Sequence, residues 1–327
     1  MCGRYALDYD SESLPAAFGQ WGINTSISSN TVNNTEVSRN NDDSSLNSEP
    51  SSTDTPTHYD ESYNIAPTRQ APVFNPNKDE IRYMKWGLLP HWSKKPGTFT
   101  GYSTFNARLD KLLASKMWSG CLSYKRCAIP MSGYYEWLSG QDNKKIPYYL
   151  RRKDNKIMFL AGLYDYNETE NLFTFTIITG PAPKNLEWLH DRMPSVLEVN
   201  SAAWKSWMDP TKTKWDQSDL DKVLTPWYDE EQYRVYQVNK DVGKVSNNGA
   251  YLTKPILKMD SERIKKDEEG EVSLLEGDST LVGETSQNNK EIPSKSRANK
   301  KKRSIIDMMR QGSVKRRETA FVKKENL

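Results

Sequence analysis

The sequence predicts an α+β fold: a mainly antiparallel, barrel-like sheet with flanking helices, interrupted by a disordered insertion and followed by a disordered tail. Three observations carry that expectation. Apolar segments are short, rich in β-branched and aromatic residues, and separated by polar turns. Helical periodicity is confined to a few stretches. Two long segments hold too little apolar surface to fold at all.

Along the chain, residues 1–23 and 63–256 make up the expected core, about 215 residues, a size that suits one domain. Between them, residues 24–62 are dominated by Ser, Asn, Thr and Asp, with Tyr59 as the lone aromatic. Such an insertion is tolerable as a surface loop. Strands are expected at 147–152 (PYYLRR), 157–166 (IMFLAGLYDY), 172–180 (LFTFTIITG) and 233–238 (YRVYQV), with turns at KDN and NETEN. Helical spacing marks 109–118 (LDKLLASKMW), 182–193 (APKNLEWLHDRM) and 201–209 (SAAWKSWMD). The tail, 257–327, separates its charges. Asp260 to Glu291 holds ten acidic against four basic residues, and 295–324 holds twelve basic against two acidic. The runs 300–303 and 315–317 read as a nuclear localisation signal or a nucleic-acid arm, with a merely solvated tail as the alternative.

Composition narrows the function classes. Hydrophobic residues make up 35% of 327, and the mean hydropathy of −0.84 agrees with substantial unfolded length. A net charge of +3 by itself implies no nucleic acid. Cys2, Cys121 and Cys127 are odd in number and lack zinc spacing, so a reduced compartment and no metal or cofactor are expected. No apolar run approaches the roughly 18–20 residues that span a bilayer, so no membrane role is expected.

Five stretches carry candidate chemistry. Cys2 follows the initiator methionine. With Met1 gone it presents an α-amine with a pKa of roughly 7.7–8.0 and a thiol near 8.5 on adjacent carbons. The amine can condense with an aldehyde to a Schiff base, and the thiol can then close a five-membered thiazolidine. Asn106 and Arg108 in FNARLD offer an amide and a planar cation for phosphate or carboxylate. Glu136 stands among Tyr134, Tyr135 and Trp137, a setting that raises a carboxyl toward neutral pH and suits acid–base work. His190 is one of three histidines and falls at the end of an expected helix. Trp86 and Trp92 flank Gly87 in a lysine-bearing loop suited to stacking on single-stranded nucleic acid. Each has an ordinary alternative: an inert terminal thiol, a capped helix, an exposed carboxylate, a structural histidine, core tryptophans.

Taken together, MCGRYAL, YNIAPT (63–68), KWGLLPHW (85–92), FNARLD (105–110), RCAIPMSGYYEW (126–137), AGLYD (161–165), FTIITGPA (175–182) and HDRMP (190–194) resemble the SRAP family, the SOS response-associated peptidase-like proteins. The resemblance spans the core and omits the insertion and tail. It implies an α+β barrel-like domain that senses abasic sites in single-stranded DNA, acting as a monomer. Cys2, freed of Met1, would form a thiazolidine crosslink with the C1′ aldehyde. Glu136 would assist proton transfer, His190 Schiff-base formation, and Asn106 would hold the terminus or the sugar. Arg4 and Arg108 would take phosphates, while Trp86, Gly87 and Trp92 would form the base-stacking loop. Asp110 stands where the family commonly has Glu, so no catalytic role is carried to it. Two other readings stay open: a cysteine peptidase built on Cys2, His190 and Glu136 or Asn106, at least toward its own Met1, and a non-covalent binder of modified DNA.

Overall fold

Five strands close into a ring. They are β4 (Gln70–Asn75), β5 (Glu80–Trp86), β7 (Arg126–Met131), β10 (Met158–Asn167) and β11 (Leu172–Pro181). The ladder runs antiparallel from β11 through β10, β7 and β4 to β5, and a parallel contact of β5 with β11, Phe175 opposite Trp86, closes it. The computed structural model describes residues 2–28, 58–94, 101–140 and 144–256, all within one compact unit; the tail and the centre of the insertion lie outside the described residues.

Around this ring, short strands extend the sheet. β2 (Ser26–Ile27) pairs with β5, β6 (Asn106–Arg108) lies parallel to β11, β12 (Arg192–Pro194) pairs with β11, and β13 (Val196–Leu197) pairs with β10. A second, wholly antiparallel sheet has the order β14 (Tyr233–Gln237), β9 (Lys145–Arg152), β8 (Gly133–Ser139), β1 (Tyr5–Leu7) and β3 (Ser62–Ile65). The amino-terminal strand β1 is therefore an inner strand of that sheet. That placement carries Cys2, three residues upstream, into the domain rather than leaving it on a frayed end.

The expected strands all form, because each pairs with a neighbour that buries its apolar face. The helices agree less well. α3 (Ala202–Met208) forms as expected, with Ser201 Oγ accepting from the Trp204 N–H. The 109–118 stretch breaks into one short turn at 109–111 and α2 (Lys116–Ser119), because Ser115 is extended at φ −95°, ψ 122°. The 182–193 stretch is not a helix. Its ends are tied by Ala182 N–H to Asp191 O at 2.9 Å, which folds it into a compact run of turns leading into β12. Two further helices, α1 (Leu14–Gly19) and α4 (Gln217–Leu224), flank the sheets. The segment read as a 24–62 insertion is ordered at its ends, where β2 forms and Tyr59 stacks on Tyr83 at 5.9 Å.

Candidate functional site

Four chemically capable side chains from distant parts of the sequence meet beside β1. Cys2 is wholly buried. Its carbonyl accepts a 2.7 Å hydrogen bond from Asn106 Nδ2. Asn106 reaches it because β6 is pinned against β11, with Asn106 opposite Ile177. Glu136 lies on β8, the neighbour of β1 in the sheet, and is 6% exposed. His190 closes the group from the turn before β12, with Nε2 at 4.0 Å from Glu136 Oε1.

The electrostatics of the group favour neutral acids. Burial pushes the Cys2 thiol well above its ordinary value, and the nearby Glu136 charge adds to the rise; the chain's terminal amine and a backbone hydrogen bond at Arg4 oppose it. Burial also raises the Glu136 carboxyl, against the pull of the terminal amine and of His190. His190 has partners for its Nδ1 in either proton state. Protonated there, it donates to Asp191 Oδ1 at 2.6 Å; bare, it accepts the Arg192 N–H at 3.0 Å. A ring that is held in place with a proton on either nitrogen suits proton transfer. A narrow recess lined by Tyr134, Leu186, Leu189 and Met193 opens between Glu136 and His190. A much larger cavity of about 770 Å³ lies between the start of β9 and the segment 237–256 and contains none of these groups, so chemistry rather than volume marks the site.

Several expected contact residues sit differently. Trp86 is not a stacking surface. It is fully buried, its indole N–H donates to Phe105 O at 2.9 Å, and its ring packs against Tyr5 at 5.1 Å and parallel to Phe175 at 6.1 Å. As a residue of the barrel-closing strand it faces the interior. Gly87 is likewise a packing residue: with φ +117°, an added Cβ would fall 2.6 Å from Gly101 Cα. Arg4 is committed to the protein, donating to Asn64 Oδ1 at 2.8 Å and Val242 O at 2.7 Å and lying over the Trp137 ring. Both bonds use Nη1, so the protein fixes the direction of a half-buried guanidinium.

Trp92, by contrast, is 55% exposed. Its loop is anchored by Asp165, which accepts the His91 N–H at 2.8 Å, and by Asn167 Nδ2 donating to Pro90 O and Ser93 O at 2.9 Å each. Arg108 is exposed and forked onto Asp110. Sequence reasoning passed over Arg192, which lines the recess and donates to Thr179 Oγ1 at 3.0 Å. Arg108 pairs opposite Thr179 and Arg192 opposite Pro181, so two cations flank β11 with Asp110 beside both. No spacing in the sequence gives that register.

Comparison with known proteins places the geometry in context. The family model described as SOS response associated peptidase (SRAP) matches residues 1–245. The abasic site processing protein YMR114C of Saccharomyces cerevisiae is 44% identical over 282 residues, covering 85% of this chain and 74% of its own length. The abasic site processing protein HMCES of Xenopus tropicalis is 31% identical over 191 residues, 47% of this chain and 56% of its own. A solved structure from Bacteroides thetaiotaomicron shares the fold, with a TM-score of 0.59 at 24% identity over 78% of this chain and 100% of that one.

Proposed function

The chain belongs to the SRAP family, and on that premise we propose that it captures abasic sites in single-stranded DNA as a covalent thiazolidine on Cys2. The observation that supports this reading is the convergence of Asn106, Glu136 and His190 beside Cys2. Met1 must leave first, because an amide nitrogen is no nucleophile; the peptidase reading is kept only in this form, the release of Met1. The freed Cys2 amine then adds to the C1′ aldehyde of the ring-opened sugar. Loss of the carbinol oxygen as water gives the iminium, with His190 and Glu136 in reach to deliver the proton. Sulfur adds to the iminium carbon as Glu136 takes the thiol proton, closing the ring. The net change is aldehyde plus aminothiol to thiazolidine plus one water. Asn106 fixes the Cys2 carbonyl and so the direction of the terminus. Arg108 and Trp92 hold phosphate and base. The basic runs 300–303 and 315–317, outside the described residues, supply a nuclear address in this reading.

Intact mass spectrometry with and without an abasic single-stranded oligonucleotide tests it. Expected is a species lacking Met1, joined to the oligonucleotide minus one water, stable without reductant. Cys2→Ala retains the amine and is expected to be captured only under borohydride. Equal reductant-free adduct from that variant overturns the proposal, and fully reversible, salt-sensitive binding favours the non-covalent reading.

A further inference from the structure

One aromatic pair beside the site has no part in the capture chemistry. Trp188 stands two residues before His190, on the turn that follows Pro183, and is 49% exposed. Leu186, Leu189 and His190 of the same turn line the recess, so the half-open indole stands close to the reactive groups. Its ring meets Tyr148 at 5.2 Å with the planes at 80°. This T-shaped contact steadies the indole without stacking the two ring faces on each other. Tyr148 lies directly opposite Glu136 in the β8–β9 ladder, so both side chains leave the sheet on the same face. Glu136, its cross-strand neighbour Tyr148 and the open indole thus follow one another on that face.

The turn is rigid enough to present it. Leu186 and Leu189 are buried beneath, and Asn185 Nδ2 donates to Tyr228 O at 3.3 Å. Exposed Lys184 adds one cation to the turn, against Glu187 and Asp191. An abasic nucleotide has no base of its own to bury, so its recognition must draw on the nucleotides beside it. Every base has a π-face, and stacking on an indole is tolerant of sequence.

We propose that Trp188, braced by Tyr148, is a stacking subsite for a nucleobase flanking the abasic position of single-stranded DNA. The inference rests on the capture reading above and adds a second aromatic contact to the one assigned to Trp92.

The test uses the full chain and fluorescein-labelled 11-mers carrying a central abasic site. Stacking per base is worth about 1–3 kcal/mol by alanine substitution, so Trp188→Ala is expected to raise the half-saturating DNA concentration for adduct formation about 5- to 150-fold. Trp188→Phe restores most of the loss, because a π-face returns. On a minimal abasic sugar phosphate without flanking bases, Trp188→Ala and the parent react alike. An unchanged half-saturating concentration on the 11-mer overturns the subsite. So does an equal loss on the base-free compound, which marks a folding effect. Anisotropy on undamaged 11-mers in a Cys2→Ala background gives a readout that needs no adduct. Weakening by Trp188→Ala there supports the subsite even if the parent forms no crosslink, whereas equal affinities refute it independently of the capture chemistry.

Discussion

Replacing Glu136 by Gln preserves the shape of the side chain and an acceptor for the Trp137 N–H at 3.1 Å, but removes its ability to take up a proton. The size of the effect follows from the burial of Cys2. A thiol at the ordinary value of 9.0 is ionised in about one molecule in a hundred at pH 7, and each further unit of elevation divides that by about ten. Burial raises this thiol, so ring closure without a base draws on less than about 1% of the protein. A carboxylate that takes the proton as sulfur attacks recovers at least about 100-fold, the lower end of what a positioned base supplies. Glu136→Gln is therefore expected to slow reductant-free adduct formation by about 100-fold or more at pH 7. Single-turnover assays on denaturing gels measure it, and a variant within about threefold of the parent refutes the assignment of the base.

The same substitution has a sign in stability. Burial lifts the folded Glu136 above its unfolded value, so between those two values the folded chain holds a proton that the unfolded chain has lost. Stability then falls as pH rises through that window, which starts near the ordinary 4.5 and ends at the raised folded value. Glu136→Gln removes the fall. Its Tm is expected to exceed the parent's near pH 7.5 and to match it near pH 4. A lower Tm at pH 7.5 contradicts the picture of a carboxyl held against its own solvation for the sake of chemistry.

Other outcomes follow from the geometry. Trp86→Ala empties the space between Tyr5 and Phe175 and is expected to cost about 3–5 kcal/mol in denaturant unfolding, whereas Trp92→Ala leaves stability within about 0.5 kcal/mol and weakens single-stranded DNA binding about 5- to 150-fold. If Trp86→Ala weakens DNA binding without loss of stability, the interior placement is wrong. Gly87→Ala combines a left-handed φ with a 2.6 Å clash against Gly101 backbone, so it is expected to lose about 2 kcal/mol or more, read as a Tm drop of about 4 °C or more. Arg108→Ala is expected to flatten the slope of log affinity against log salt by about 0.7, the share of one phosphate contact on a single strand; an unchanged slope shows that Arg108 serves only its pair with Asp110.

What the sequence disclosed and what it hid divide along sequence separation. The strands were legible because β-branched and aromatic runs between polar turns are local signals, and 157–166 and 172–180 become β10 and β11. The raised Glu136 carboxyl was legible only in part: Tyr134, two residues back, shares its face of β8 and lines the recess, whereas Tyr135 and Trp137 belong to a cluster on the other face. Trp86 and Trp92 were not separable, since six residues of loop carry no sign of which indole faces inward. Only the parallel β5–β11 contact that closes the barrel decides it, and that contact joins residues almost ninety positions apart. The 182–193 stretch misled for a related reason. Its helical spacing of Leu186 and Leu189 is real, and both are buried, but the bond from Ala182 to Asp191 sets its form. That tie has a chemical consequence. A continued helix would carry His190 onward along its axis, whereas the closed turn brings the imidazole back over β8, within 4.0 Å of Glu136. The departure from helical propensity is thus the step that assembles the proton-handling pair, with local preference yielding to long-range closure at the point where the chemistry needs it.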